Sequence, residues 1–189
     1  MKIPAVILAA GASKRLGQPK QLLLCQGEPL VRRTARTALE VCDPVLAIVG
    51  SGAEGVRAAL EGLPVQCVTN LDWEEGMASS LRVAVSALPL EARAAVFLVC
   101  DQPALRPEVL ERMLQLHRAH PGKRIACAYA GIRGIPALLP STDFDALLQV
   151  RGDCGARGLL GGREVLDVDF PGGELDIDLP GDMERLRER

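Results

Sequence analysis

The stretch VILAAGASKRLGQPK, residues 6–20, decides how the rest of the chain reads. Val6 to Ala10 are apolar or small, the pattern of a strand buried on both faces. At Gly11 the run gives way to a short polar loop carrying Lys14, Arg15 and Lys20. Small residues at 9–12 let backbone N–H groups come close to phosphate oxygens. The chain has 18 arginines and only four lysines, two of them in this loop. A flexible ammonium suits a point-charge role on a phosphate that gains charge during reaction. A basic surface loop would look the same on charge alone, but this one leaves the carboxyl end of the first strand.

Outward from that loop, apolar runs alternate with helical patterns. Runs at 5–10, 44–50, 64–70, 94–101 and 124–130 read as buried strands. Spacing at 29–42, 53–61, 77–88 and 107–120 reads as helix, with Pro29 and Pro107 suited to first-turn positions. Such alternation means βαβ units: an α/β fold of three α/β/α layers with a Rossmann-like, mostly parallel sheet. Beyond residue 131 the pattern loosens. It allows a strand at 134–139, helices near 143–149 and 155–160, the run REVLDVDF and a last helix at 180–188. No linker, repeat or low-complexity tract interrupts it, so residues 1–189 are expected to form a single domain. In sheets of this kind ligands bind at the carboxyl ends of the strands. That rule singles out the loop after Ala10, the loop after Val49, Asn70 onward, and Asp101.

Two standard phosphate loops compete for the role. The Walker pattern G-x4-G-K-[ST] fails, because five residues separate Gly11 from Gly17 and Gln18 follows. GSGAEG at 50–55 does satisfy G-x-G-x-x-G, follows a strand and opens a helix, with Asp72 about 20 residues on. Against a dinucleotide site, the helix is short and Glu54 stands where a pyrophosphate would lie. A glycine-rich surface turn is the plainer reading, and an NAD-dependent oxidoreductase the alternative it leaves open.

VFLVCDQP ends a buried strand in Asp101. A carboxylate there, beside a phosphate loop, is where a Mg²⁺ ligand belongs, since that ion takes one or two carboxylates plus substrate phosphates. A turn-forming or capping aspartate is the competing reading. Near the end, ELDIDLPGDMERL carries Asp176, Asp178 and Asp182; if 174–178 is a strand, Asp176 and Asp178 share a face. Asp182 suits the dipole of a following helix. These parts suggest nucleotidyl transfer by a Mg²⁺-dependent, phosphate-handling enzyme. An anionic phosphate acceptor needs no general base, in keeping with only two histidines, His117 and His120.

Composition sets the outer bounds. Apolar residues make up 48% and charged ones 24%, with a net charge of −2, ordinary globular usage. That balance argues against nucleic-acid and membrane-surface binding, and no apolar run is long enough to cross a membrane. The six cysteines stand 17 or more residues apart, without metal or redox spacing, and read as buried free thiols of a cytoplasmic protein.

Taken together, several segments resemble the molybdenum-cofactor nucleotidyltransferases, most closely the cytidylyltransferase branch. LAAGASKRLGQPKQLL (8–23) is similar to that family's signature loop, and NLDWEEGMASSL (70–81) to its second motif. DQP (101–103), GDCGAR (152–157) and DIDLPGD (176–182) are similar to later ones. The resemblance implies the nucleotidyltransferase type of α/β fold and transfer of CMP from CTP to the terminal phosphate of molybdopterin or the molybdenum cofactor. It implies nucleotide contacts from Leu8, Ala9, Ala10, Gly11, Asn70 and Ser80, with Lys20 on the phosphates. Lys20, Arg15 and Asp101 would carry catalysis, and Asp101 and Asp178 would hold Mg²⁺. Gly152 and Asp153 would lie on the acceptor side, and a recipient molybdoenzyme or its chaperone would take the product. Related guanylyltransferases read L-A-G-G and end their loop in D-K; Ala10 and Pro19-Lys20 follow the cytidine pattern. Three positions depart from the family: Ile135 for a usual His, Leu179 for Thr and Gly181 for Glu. The first puts acceptor identity in question. A guanylyltransferase, another nucleotidyltransferase, or a non-catalytic module handing cofactor to a partner are the competing readings. Trp73 fits either core packing or stacking on the acceptor.

Overall fold

A computed structural model describes residues 2–152, 155, 158, 160, 161, 164–175, 177 and 182. Seven strands form one sheet: β1 (Ala5–Ala9), β4 (Val45–Val49), β5 (Val65–Thr69), β6 (Ala94–Val99), β7 (Arg124–Tyr129), β8 (Ile132–Pro140) and β9 (Val165–Asp169). They lie in the order β5-β4-β1-β6-β8-β7-β9. Every pairing is parallel except the two made by β8, which runs against both β6 and β7. Two further strands, β2 (Leu24–Cys25) and β3 (Glu28–Pro29), make a separate hairpin turned by Gln26 and Gly27, both at positive φ.

Helices cover both faces. On one side α1 (Leu30–Val41), α2 (Ala53–Ala59) and α4 (Pro107–Ala119) pack on Ala5, Ile7 and Ala9 of β1 and on Val96 and Leu98 of β6. On the other, α3 (Met77–Ala87) and α5 (Phe144–Gln149) meet Val6 and Leu8 with Phe97. Residues alternate between these two cores along β1, whose five residues are all buried, because successive side chains of a strand point to opposite faces. The architecture is therefore the three-layer α/β fold expected, with one reversed strand.

That reversed strand contains a proline in mid-sheet, and the ladder accommodates it. β7 and β8 pair Ala126 with Ala137 and then Cys127 with Gly134, so the register skips Ile135 and Pro136. Proline has no N–H to give, and a bulge lets the strand pass it. The Ile135 carbonyl, released from the ladder, accepts from Gln102 Nε2 at 2.9 Å and from the Tyr129 hydroxyl at 3.1 Å.

The connection order creates the site. The chain runs from β1 outward through β4 to β5, then returns by α3 to lay β6 against the other side of β1. The loops after β1 and β6 therefore diverge over a crevice at the point where strand order reverses, the place such sheets bind ligands.

Some expectations change. Glu174, Leu175 and Ile177 lie in turn or irregular backbone, so the strand supposed over 174–178 is not formed by the described residues there. Half of the helix expected at 155–160, and almost all of that at 180–188, falls outside the described residues. Among the described residues five cysteines are free thiols; four are buried and Cys67 is half-buried. Burial pushes the thiols of Cys42, Cys100 and Cys127 up to about 12. Among the described residues no helix is long and apolar enough to cross a membrane.

Phe97 lies at the sheet's centre with none of its surface exposed. Replacing it with alanine removes a whole ring from a packed interior, so Phe97→Ala should lower unfolding free energy by about 3–5 kcal/mol in urea denaturation.

Candidate active-site cleft

The chain beyond β1 is held by Gln21. This side chain is 1% exposed. Its amide donates to the carbonyls of Ala9 at 2.9 Å and Gly11 at 2.6 Å, while its Oε1 lies 3.5 Å from the Ser13 hydroxyl. Ser13, at positive φ, closes the turn: its carbonyl accepts from Leu16 and Gly17, and its hydroxyl accepts from the Lys20 N–H at 3.1 Å. In a trans peptide the C=O and the following N–H point opposite ways. Tying the Gly11 carbonyl to Gln21 therefore aims the Ala12 N–H away from it.

The loop borders a cleft of about 550 Å³. Leu8, Ala10, Gly11, Arg15, Lys20, Ser80 and Asp101 all line it, so seven of the residues singled out in the sequence meet in one place. Cys100, Trp73 and the segment Glu74–Met77 complete much of the wall. At the floor, the Lys20 ammonium contacts Asp101 Oδ2. Asp101 is 6% exposed, and its Oδ1 is buried with no hydrogen-bond partner among the described residues. An orphaned carboxylate oxygen is costly unless something satisfies it. A divalent cation with oxygen ligands fits that need. Among the described residues no three His, Cys, Asp or Glu gather to hold a cation by themselves.

Other predicted residues stand apart from the cleft surface. Ala9 turns its side chain into the α1/α4 core and offers the site only its backbone. Asn70 is buried behind Ser80: it donates to the Ser79 and Ser80 hydroxyls at 2.8 and 3.1 Å and accepts from the Asp72 N–H. It braces the start of α3 rather than facing the cleft. Gly152 sits at the rim, its N–H donating to Glu75 and its carbonyl accepting from Ala78. Asp153 and Asp178 lie outside the described residues. Trp73 does both things the sequence left open, packing on the α3-side core and lining the cleft.

Sequence reasoning assigned no role to Gln21, Ser13 or the Glu75–Arg82 pair. Arg82 grips the Glu75 carboxylate with two nitrogens and donates to the Val150 carbonyl at 2.8 Å, binding the 150–152 segment to the cleft wall. The Arg82 guanidinium, then the Gly152 N–H, push the Glu75 carboxyl down to about 2. Spacing could have hinted at Arg82, seven residues on from Glu75, but not at the partner loop.

The glycines of GSGAEG are accounted for by packing. A Cβ at Gly50 would lie 2.7 Å from Trp73 Cβ and 2.9 Å from Ala10 Cβ, and one at Gly55 would lie 2.8 Å from Leu22 Cδ1. Gly52 takes positive φ to start α2, which is only seven residues long and has Glu54 in its first turn. Nothing in that turn favours a pyrophosphate.

Residues 5–168 match the MobA-like NTP transferase domain. The chain belongs to that family. It is an enzyme of the nucleotidyltransferase class, and its α/β sheet is the family's fold. A relative from Paenarthrobacter nicotinovorans, 34% identical across 97% of this chain and 96% of its own length, is called nicotine blue oxidoreductase. The molybdenum cofactor cytidylyltransferase of Escherichia coli (strain K12) is 26% identical over 99% of this chain and 96% of its own. Among solved structures, Rv0371c of Mycobacterium tuberculosis H37Rv is 31% identical, with a TM-score of 0.85 over 100% of this chain and 99% of that one. A manganese complex of the same mycobacterial protein superposes with a TM-score of 0.80.

Two measurements follow. Gln21→Ala leaves the carbonyls of Ala9 and Gly11 unpaired and should cost about 1–3 kcal/mol of stability, read by thermal or urea unfolding. Glu75, with its carboxyl held below the ordinary value of about 4.3, should stay ionised from neutral pH through pH 4. Its stabilising effect is full above the ordinary value and is lost only as pH falls through about 2, which a carbon-13 titration of the Glu75 carboxyl would follow.

Proposed function

We propose that this protein transfers CMP from CTP to the terminal phosphate of molybdopterin or the molybdenum cofactor, releasing pyrophosphate, with Mg²⁺ as the divalent cation. The observation that carries the reading is the meeting of Lys20 and Asp101 on the floor of a cleft walled by the loop after β1. It brings a phosphate-binding cation and a metal-binding carboxylate to one point. The likeness to the cytidylyltransferase of Escherichia coli over nearly the full length supports the acceptor class.

In this reading the loop N–H groups and Lys20 bind the triphosphate, and Arg15 adds charge at the mouth. Leu8, Ala10, Gly11 and Ser80 contact the nucleoside, with Ala9 and Asn70 supporting them from behind. Asp101, with Asp178, holds Mg²⁺, which when bound supplies positive charge to the phosphates. An oxygen of the acceptor phosphate attacks the α-phosphorus; the bond to the bridging oxygen of the β-phosphate breaks, and pyrophosphate leaves with that electron pair. The attacking oxygen is already anionic, so no side chain needs to remove a proton. Lys20 stabilises the charge that builds on the phosphoryl oxygens.

Preference for cytosine rests on Ala10. Its Cβ lies against the space Gly50 leaves, and in this reading it reshapes the room left for the base. Gly152 and Asp153 would meet the acceptor. Ile135 would not supply an imidazole there, and its carbonyl is already taken by Gln102 and Tyr129. The oxidoreductase name of one relative does not favour hydride transfer here, because the only G-x-G-x-x-G turn is filled by Trp73, Ala10 and Leu22.

Pyrophosphate release should be measured with Mg²⁺ and molybdopterin, comparing CTP, GTP, ATP and UTP. The expected result is release with CTP, reduced about 100-fold or more in Asp101→Ala. Release with GTP in place of CTP would overturn the role given to Ala10. Release with no nucleotide would overturn the transfer reaction.

A further inference from the structure

Lys20 and Asp101 together suggest more than a shared site. A lysine ammonium and a divalent cation compete for the same carboxylate oxygen, and here the ammonium already holds it. We propose that Lys20 gates Asp101 against free divalent cations, so that the cation enters the cleft only as its complex with the nucleotide. The cytidine form of the nucleotide rests on the function proposed above; the gate itself does not.

Four observations carry the gate. Asp101 lies two residues beyond the end of β6 with its carboxylate buried, and Oδ1 and Oδ2 are the side-chain oxygens it brings to the cleft floor. One is taken by Lys20, and the other has no partner among the described residues. Among those residues no second carboxylate joins it: Glu75 is gripped by Arg82 and Gly152, and no cluster of three potential ligands exists. A free cation would thus have to displace an ammonium to reach Asp101, while giving up its own water. A nucleotide-bound cation meets different conditions, since it brings phosphate oxygens as ligands and offers Lys20 an anion to move to. The hardware for that exchange is in place. The Lys20 backbone is pinned through its N–H to Ser13, so the jointed side chain is the part that moves.

The gate makes an unusual demand: removing a positive charge from a nucleotide site should tighten metal binding in the absence of nucleotide. Binding of Mn²⁺ to the whole protein can be read by the loss of the free-ion electron paramagnetic resonance signal. Samples would be run with and without a CTP analogue whose α,β-bridging oxygen is replaced by methylene. In the unaltered protein Mn²⁺ alone should bind weakly, and the analogue should tighten it. In Lys20→Met, and equally in Lys20→Gln as a second neutral replacement, Mn²⁺ alone should bind about tenfold more tightly, within the usual range for coupled sites. The analogue should bind more weakly to both variants. In Lys20→Met combined with Asp101→Asn the gain should vanish.

A neutral residue at 20 that leaves Mn²⁺ affinity unchanged, or lowers it, overturns the gate. So does a gain that survives Asp101→Asn, because the cation would then sit elsewhere. If the variants gain affinity but the analogue fails to tighten Mn²⁺ in the unaltered protein, the gate stands and the cytidine-nucleotide reading fails.

Discussion

A strand buried on both faces cannot simply stop, because backbone groups beyond its last ladder bond remain out of water and need partners. After Ala9 that need falls on a side chain twelve residues away. The Gln21 amide takes the carbonyls of Ala9 and Gly11 in place of a neighbouring strand, and its own oxygen rests beside Ser13. The short 3₁₀ turn at Lys20–Leu22 delivers Gln21 inward and Lys20 toward the cleft from adjacent positions. One local conformation therefore closes the β1 loop and aims its cation.

The sheet supplies the other half. Because β6 lies parallel beside β1 rather than beyond β5, the carboxyl ends of the two strands are neighbours, and Asp101 comes within reach of Lys20 from 81 residues away. A pair on the floor of a cleft interacts more strongly than one in bulk water, since less solvent screens it. The Glu75–Arg82 pair has a different task, joining the 150–152 segment to the start of α3. The two pairs differ in accessibility: Asp101 keeps an unsatisfied oxygen, whereas both Glu75 oxygens are occupied.

Most of the sheet was legible because strands buried on both faces leave uninterrupted apolar runs; β1, β4, β5, β6 and β7 each begin and end within two residues of those runs. Helices α1, α3 and α4 were equally plain from their spacing. Strand direction is not written in such a pattern, so the reversal of β8 was invisible, as was a hairpin of two-residue strands at 24–29. Within the site, the residues that gather at the cleft were found by their types and their places after strands. Gln21, Ser13 and Asn70 act through hydrogen bonds to partners two to twelve residues distant, which no periodicity records. GSGAEG misleads for a related reason: a glycine needed for close packing and one needed for a phosphate look the same until the neighbouring Trp73, Ala10 and Leu22 are in view.

The buried thiols have a practical side. A cysteine reacts as thiolate, so Cys42, Cys100 and Cys127, each held near 12, are chemically silent while the fold is closed. Cys67, half-buried on edge strand β5, is also pushed up by burial, with the Arg57 charge pulling the other way. Cys100 precedes Asp101 directly and lines the cleft, so its thiol becomes a built-in clock for the floor of the site. The rate at which a small alkylating reagent finds it reports how often the floor of the cleft opens, with no label added to the protein.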